Sequence, residues 1–277
     1  MKTIVTHIFP DLDAISSVWL LTRYLPDWED ANIVFTPQQE DWNKIKPDSD
    51  PDVLYCDTGF GKFDHHQIQE RTCATRRVFD YLITHRHIHA KESDAVLRVV
   101  EYVNDIDNFG EVNYPEPTAD RYEFCLHQLI TGLRKKGVQD SALVHTIFPL
   151  LDGVVQLFIY KIKAEQEIAK GFIFYSKYGK SLAMNSSNDE AMRIAQKKGY
   201  SLVVMKDPQK KTARIKTTPS PELDLTPVYD KIKKVDPKGY WFLHILKNML
   251  LNGSSRKPDA TPTPLSLQQL IEIIKEV

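Results

Sequence analysis

Residues 3–9 are mostly apolar and β-branched, and after Pro10 the apolar positions Ala14, Ile15, Val18, Leu21 and Leu25 recur at helical spacing. The pattern predicts a strand, a turn and a helix. Further short strands are expected over 32–35, after Pro26, and over 52–56, after a polar connection holding Pro47 and Pro51, and helical periodicity then occupies 73–84 and 92–104. Alternation of this kind predicts an α/β fold built on a mostly parallel sheet covered on both faces. From 122 to 136, and again from 138 to 170, the pattern is helical with few breakers and ends in a charged run, so it reads as a connector. Beyond Gly171 the texture changes to short strands at 172–175, 201–205 and 212–217, a helix near 188–198, proline-rich loops, and a last helix over 266–275 capped by Ser266. The expected organisation is a domain over 1–120, a helical connector over 121–170 and a smaller α/β domain over 171–277.

Length supports that division, since 277 residues exceed the usual size of one hydrophobic core. With 42% hydrophobic and 26% charged residues the composition excludes general disorder but neither an enzyme nor a binding module. Charge narrows the partners: 36 basic against 37 acidic residues leave a net −1, no global field for long nucleic acid, so any anion must be bound locally. The first residues run straight into a strand without signal-peptide character, and no unbroken apolar run approaches the roughly 18 residues of a membrane span. Cys56, Cys73 and Cys125 are odd in number and widely spaced, which suits a reducing compartment. A cytoplasmic protein that does not enter a membrane is expected. The apolar stripe of 141–160 reads as core, or as an inter-domain or homodimer face.

The chemistry sits at the expected strand ends. The first is followed by His7-Ile8-Phe9-Pro10-Asp11-Leu12-Asp13 and the third by Asp57-Thr58-Gly59, after which come Asp64-His65-His66-Gln67. In an open α/β sheet such ends share one crevice, so residues far apart in sequence can converge there. A further contributor lies after the helix at 92–104, where Asp105 and Asp107 are both available. Carboxylate and imidazole donors suit hard and borderline cations such as Mn²⁺, and a pair of ions roughly 3.5–4 Å apart needs a bridging carboxylate. Water held between two such ions loses a proton near neutral pH and becomes a nucleophile for phosphoester or phosphoanhydride bonds. His85, His87 and His89, and Arg71, Arg76 and Arg77, read as solvated side chains.

His7, Asp11, Asp13, Asp57, Asp64-His65-His66 and a late aspartate, in this order and spacing, resemble the four motifs of the DHH phosphoesterase superfamily over residues 1–110. The resemblance implies that His7 and Asp11 bind one divalent ion, that Asp57 bridges both, and that Asp13, His65 and Asp107 bind the second. Asp107 is chosen over Asp105 because Ile106-Asp107-Asn108 is similar to the branch that includes the melanocyte-proliferating-gene exonucleases. His66 would face the substrate and donate a proton to the leaving oxygen, with Asp64 orienting it. The glycine-rich stretch with its histidine that many family members carry in their second domain is absent. His244 and Ser255-Arg256-Lys257 stand in that region, the latter resembling the phosphate clamp of the family's manganese pyrophosphatases. The function implied is a two-metal phosphohydrolase, with Mn²⁺ expected and Mg²⁺ or Co²⁺ as substitutes. Its substrate is expected to be a short single-stranded oligonucleotide or small nucleotide, with His244, Arg256 and Lys257 binding it. A pyrophosphatase or polyphosphatase, and a non-catalytic nucleotide sensor, are the alternatives.

Overall fold

The computed structural model describes residues 1–253, 257 and 259–277. They divide into two compact units, Met1–Ile159 and Tyr160–Val277, and the chain is of the α/β class. In the first unit β1 (Thr3–His7) is the middle strand of a three-stranded sheet, flanked by β2 (Asn32–Thr36) and β3 (Val53–Tyr55), with both pairings parallel. Parallel neighbours need crossovers, and α1 (Leu12–Tyr24) supplies the one between β1 and β2. Every residue of α1 from Leu12 to Thr22 is buried, so the helix is apolar or small nearly all round and lies at the centre of its unit. Around it pack α2 (Ala74–Thr84), α3 (Ala90–Asp107) and α4 (Leu126–Lys135). α3 is one-sided by contrast: Ala95, Val96, Val99, Val100 and Val103 form its buried stripe.

α5 (Asp140–Ala169) spans the division between the units, so the stretch expected to be a connector is split at Ile159 and Tyr160. Its 30 residues also correct the expectation about membrane spans, because this helix is long and apolar enough to cross a membrane by length and composition. Pro149, Asp152 and Gly153 interrupt the run to the eye while leaving its mean hydropathy at 1.7. Asp152 is tied within the first unit, accepting from Trp19 Nε1 at 2.9 Å and from Arg23 at 2.6 Å.

The second unit carries a six-stranded mixed sheet in the order β4-β5-β6-β7-β9-β8, formed by β4 (Phe172–Ser176), β5 (Gly179–Asn185), β6 (Leu202–Lys206), β7 (Ala213–Thr217), β8 (Trp241–Leu243) and β9 (Met249–Asn252). Among the described residues of this sheet only β5 and β6 pair in parallel, joined through α6 (Asp189–Lys197). Leu202, Val204, Ile215 and Leu250 on one face of this sheet are packed by α7 (Thr226–Val235) and α8 (Leu267–Lys275). On the other face, Val203 and Met205 meet Ala191 and Ile194 of α6. β5, α7 and the β8–β9 pair were not expected from the pattern. The last two strands are only three and four residues long, and the proline-rich texture masked α7, although Pro227 in its first turn is a helix-start signal.

Candidate metal centre

The site lies at the carboxyl ends of β1 and β3, where the strand order of a parallel sheet reverses direction and leaves a crevice. His7 ends β1 with its Nδ1–H donated to the carbonyl of Ile8 at 2.8 Å, which leaves Nε2 pointing at Asp57 Oδ2, 3.2 Å away. Asp11 is the N-cap of α1: one carboxylate oxygen accepts from the backbone N–H groups of Asp13 and Ala14 at 2.9 and 3.0 Å, and the other is not used by the cap. Asp13, two residues on, is 1% exposed and reaches across to the start of α2, accepting from Ala74 N–H at 2.7 Å and Thr75 N–H at 2.8 Å. It thereby caps a helix whose own N-cap, Cys73, offers no side-chain bond.

Asp57 follows β3 in the left-handed region, with φ 55. The loop after it folds back so that Asp57 N–H bonds the carbonyl of Phe63, which brings Asp64, His65 and His66 under the strand ends. The turn depends on Gly59, at φ +80, where an added Cβ would stand 2.7 Å from Pro47 and 2.9 Å from Tyr55. Buried Asp64 organises the loop by accepting from Phe60 N–H at 2.7 Å, and from His66 through its backbone N–H at 3.1 Å and its Nδ1 at 2.6 Å. His66 Nε2 faces Gln38 at 2.9 Å, a residue after β2 that the sequence did not single out.

His65 Nε2 is the hub. It lies 3.2 Å from Asp57 Oδ1, 3.6 Å from Asp107 Oδ2 and 3.7 Å from Asp13 Oδ2. Among the described residues three donor groups follow, each with ligand atoms within 4.8 Å of one another: His7, Asp11 and Asp57; Asp13, His65 and Asp107; and Asp57, His65 and His66. Asp105 is elsewhere, ion-paired with Arg71 at 2.8 Å and accepting from Tyr114 at 3.0 Å. Asp107 extends the buried stripe of α3 by one turn beyond Val103, whereas Asp105 is rotated off it.

The electrostatics record how much positive charge this cluster calls for. Burial, then the charge of Asp57, raises the Asp11 carboxyl, and burial with Asp57 and Asp107 raises Asp13 well above the usual range. Burial and the charges of Asp57 and Asp11 outweigh His65 and push Asp107 up to about 6. Burial opposes charge on His7 and His65, but the carboxylates beside them win and hold both imidazoles up at about 9. Asp57 goes the other way: burial would raise it, and His65 and His7 pull it below its ordinary value. Even so, its buried Oδ1 has no hydrogen-bond donor, the contact to His65 being too poorly aligned to serve. A buried carboxylate common to two donor groups, with one oxygen lacking a hydrogen bond, beside carboxyls raised by burial and by one another's charge, fits divalent metal well.

Lys257 and His244 belong to the second unit, where they line one cavity of about 770 Å³ together with Arg214 and Phe242. Lys257 pairs with Asp259 at 3.1 Å, and His244 Nδ1 accepts from Leu246 N–H at 3.2 Å. Arg256 lies outside the described residues.

The family model described as ChrB, C-terminal domain, matches residues 4–158. No curated protein matches the chain. Among solved structures, RecJ from Thermus thermophilus in complex with Mg²⁺ is similar at 11% identity and TM-score 0.33, the match covering 99% of this chain and 49% of that one. An exopolyphosphatase-related protein from Bacteroides fragilis matches at 13% identity and TM-score 0.28, covering 99% and 90%. A putative family II inorganic pyrophosphatase from Methanococcus jannaschii matches at 13% identity and TM-score 0.24, covering 99% of each.

Proposed function

Starting from the fact that the chain belongs to the ChrB C-terminal domain family over residues 4–158, a span holding every donor of the three groups, we propose that it is a divalent-metal-dependent phosphohydrolase of the DHH type. The observation that carries this reading is that the donor groups share members: Asp57 joins His7 and Asp11 to His65, His65 joins Asp13 and Asp107, and the buried Asp57 Oδ1 has no hydrogen bond. Bound divalent ions would supply Lewis acidity towards a phosphate and a water of lowered pKa. His7 and Asp11 would hold one ion, Asp13, His65 and Asp107 a second, and Asp57 both, with Mn²⁺ best suited to the donor set.

The chain's own residues supply the rest. Asp64 fixes the His66 ring through Nδ1, and Nε2, which here accepts from the Gln38 amide, would as part of an imidazolium deliver a proton to the leaving oxygen of the substrate. Asp11 and Asp13 keep their geometry by serving as helix caps at the same time, so the donors are held before any ion arrives. With a net charge of −1 the molecule favours a short substrate over a long duplex, and short single-stranded oligonucleotides or small nucleotides are the class proposed. His244, Arg256 and Lys257 are the proposed contacts from the second unit.

The test is release of mononucleotides from a short oligomer with Mn²⁺, with Mg²⁺ and with chelator, run alongside pyrophosphate. The expected outcome is metal-dependent turnover of the oligomer that Asp57→Asn abolishes. Turnover of pyrophosphate alone would move the activity to phosphoanhydrides. A folded, metal-loaded protein inert towards both would overturn the proposal.

A further inference from the structure

Three phenylalanines stand beside the donor groups in the left-handed backbone region: Phe9 at φ 54, two residues before Asp11; Phe60 at φ 59, three after Asp57; and Phe109 at φ 57, two after Asp107. A bulky side chain in that region is strained and is usually retained only for a reason. Burial is not the reason, because the rings are 60%, 48% and 74% exposed.

Phe109 lines a pocket of about 270 Å³ whose wall also includes Asp11, Asp13, Asp107 and, from α4, Thr131 and Arg134. The Arg134 guanidinium lies 5.5 Å over the Phe9 ring and, among the described residues, pairs with no carboxylate. Phe9 is held in place from below by Asp140 at the start of α5, which accepts its backbone N–H at 3.0 Å. Carboxylates that would hold metal, a guanidinium without a carboxylate partner among the described residues and the Phe109 ring thus border one small cavity, and Phe9 joins them through the Arg134 guanidinium over its ring, all within Met1–Ile159.

We propose that Phe109, Phe9 and Arg134 form a nucleobase subsite beside the metal centre, so that a base-bearing phosphate is recognised within the first unit itself. This rests on the hydrolytic reading above and deepens it. An aromatic face stacks on any base and has nothing to grip in bare pyrophosphate, and an arginine above such a ring can take a phosphate oxygen or extend the stack. The strained turns then have a use: they turn rings outward at the points where the chain enters and leaves the donor cluster. Phe60 lies by Asp64, whose carboxylate its N–H bonds, and the subsite does not need it.

The experiment is calorimetric titration of the full chain, with Mn²⁺, by a hydrolysis-resistant phosphorothioate trinucleotide and by its abasic counterpart. Wild type should bind the base-bearing trimer about 5- to 150-fold more tightly. Phe109→Leu should remove most of that preference, Phe109→Tyr should keep it, and Arg134→Gln should weaken both ligands. Equal binding of the two trimers by wild type overturns the subsite, as does a leucine variant that keeps the preference. A leucine variant that alters only self-association overturns it too, in favour of a protein interface. Hydrolysis of unmodified trimers, measured in parallel, separates the two claims: equal turnover with and without bases leaves the hydrolase standing and removes the subsite. Base-dependent binding with no turnover does the reverse.

Discussion

Asp13 shows how one side chain can serve structure and chemistry together, since the carboxylate that caps α2 also belongs to a donor group with His65 and Asp107. Its two roles separate under substitution. Asp13→Ala strips the cap and should cost about 1–2 kcal/mol in urea unfolding of the chelated protein. Asp13→Asn keeps one of the two acceptor oxygens and removes a carboxyl whose charge is opposed by burial and then by Asp57 and Asp107, so it should cost less; both should abolish stabilisation by Mn²⁺. If asparagine proves as damaging as alanine in chelator, the cap needs both carboxylate oxygens. The histidines give a pH prediction with a definite sign. His7 and His65 are held at about 9 when folded and lie near 6.5 when unfolded, so their contribution is complete below pH 6.5 and is lost as pH rises through 9. Asp107, at about 6 in the folded chain, acts in the same direction lower down, because ionising it there is costly. The melting temperature of the metal-free protein should therefore fall from pH 6.5 to 9.5. With saturating Mn²⁺ the trend should reverse, since deprotonated donors bind the ion.

At the scale of elements, periodicity carried most of the first unit. β1, α1, α2 and α3 appear where the apolar spacing put them, and the stripe of α3 at 95, 96, 99, 100 and 103 already points to 107 rather than 105 once carried one turn further. Several contacts were not legible, because they join elements distant in sequence. No local signal marks Asp13 as the cap of α2, Gln38 as the neighbour of His66, or Arg134 as part of the wall around Asp11 and Asp107. In the second unit the short strands β8 and β9 carry too few residues for a period of two to stand out. The cap of α8 was legible: Ser266 accepts from Gln269 N–H while the Gln269 side chain returns to Ser266 N–H. Ser266→Ala should lower stability by about 1 kcal/mol, measured as a shift of the urea midpoint. Restoration by Ser266→Asp would assign the loss to the cap.

Over the whole molecule, the donor groups lie in Met1–Ile159 and the six-stranded sheet in Tyr160–Val277, so metal and chain stability are linked through one unit. Calorimetry should show Mn²⁺ at 100 times its Kd stabilising the transition of the first unit by about 2.7 kcal/mol, with the transition of the second unit little moved. An equal shift of both would mean that the two unfold as one. The ChrB C-terminal domain match ends at residue 158, one residue short of the division between the units, which sets the site-bearing part of the chain apart from the rest.

The amino-acid sequence by itself determined the α/β class and the strand-end positions of His7, Asp11, Asp13, Asp57, Asp64, His65 and His66, because period and turn chemistry are local and survive in a linear string. Tertiary structure alone decided which of these atoms meet. His65 Nε2 comes within 3.7 Å of three carboxylates drawn from α1, α3 and the loop after β3, and that convergence depends on parallel strands ending together and on helices capped by side chains from elsewhere. Tertiary structure alone also left Phe9 and Phe109 facing outward beside Arg134. An aromatic residue in a sequence signals a core, and only the backbone conformation at that point turned these two away from it.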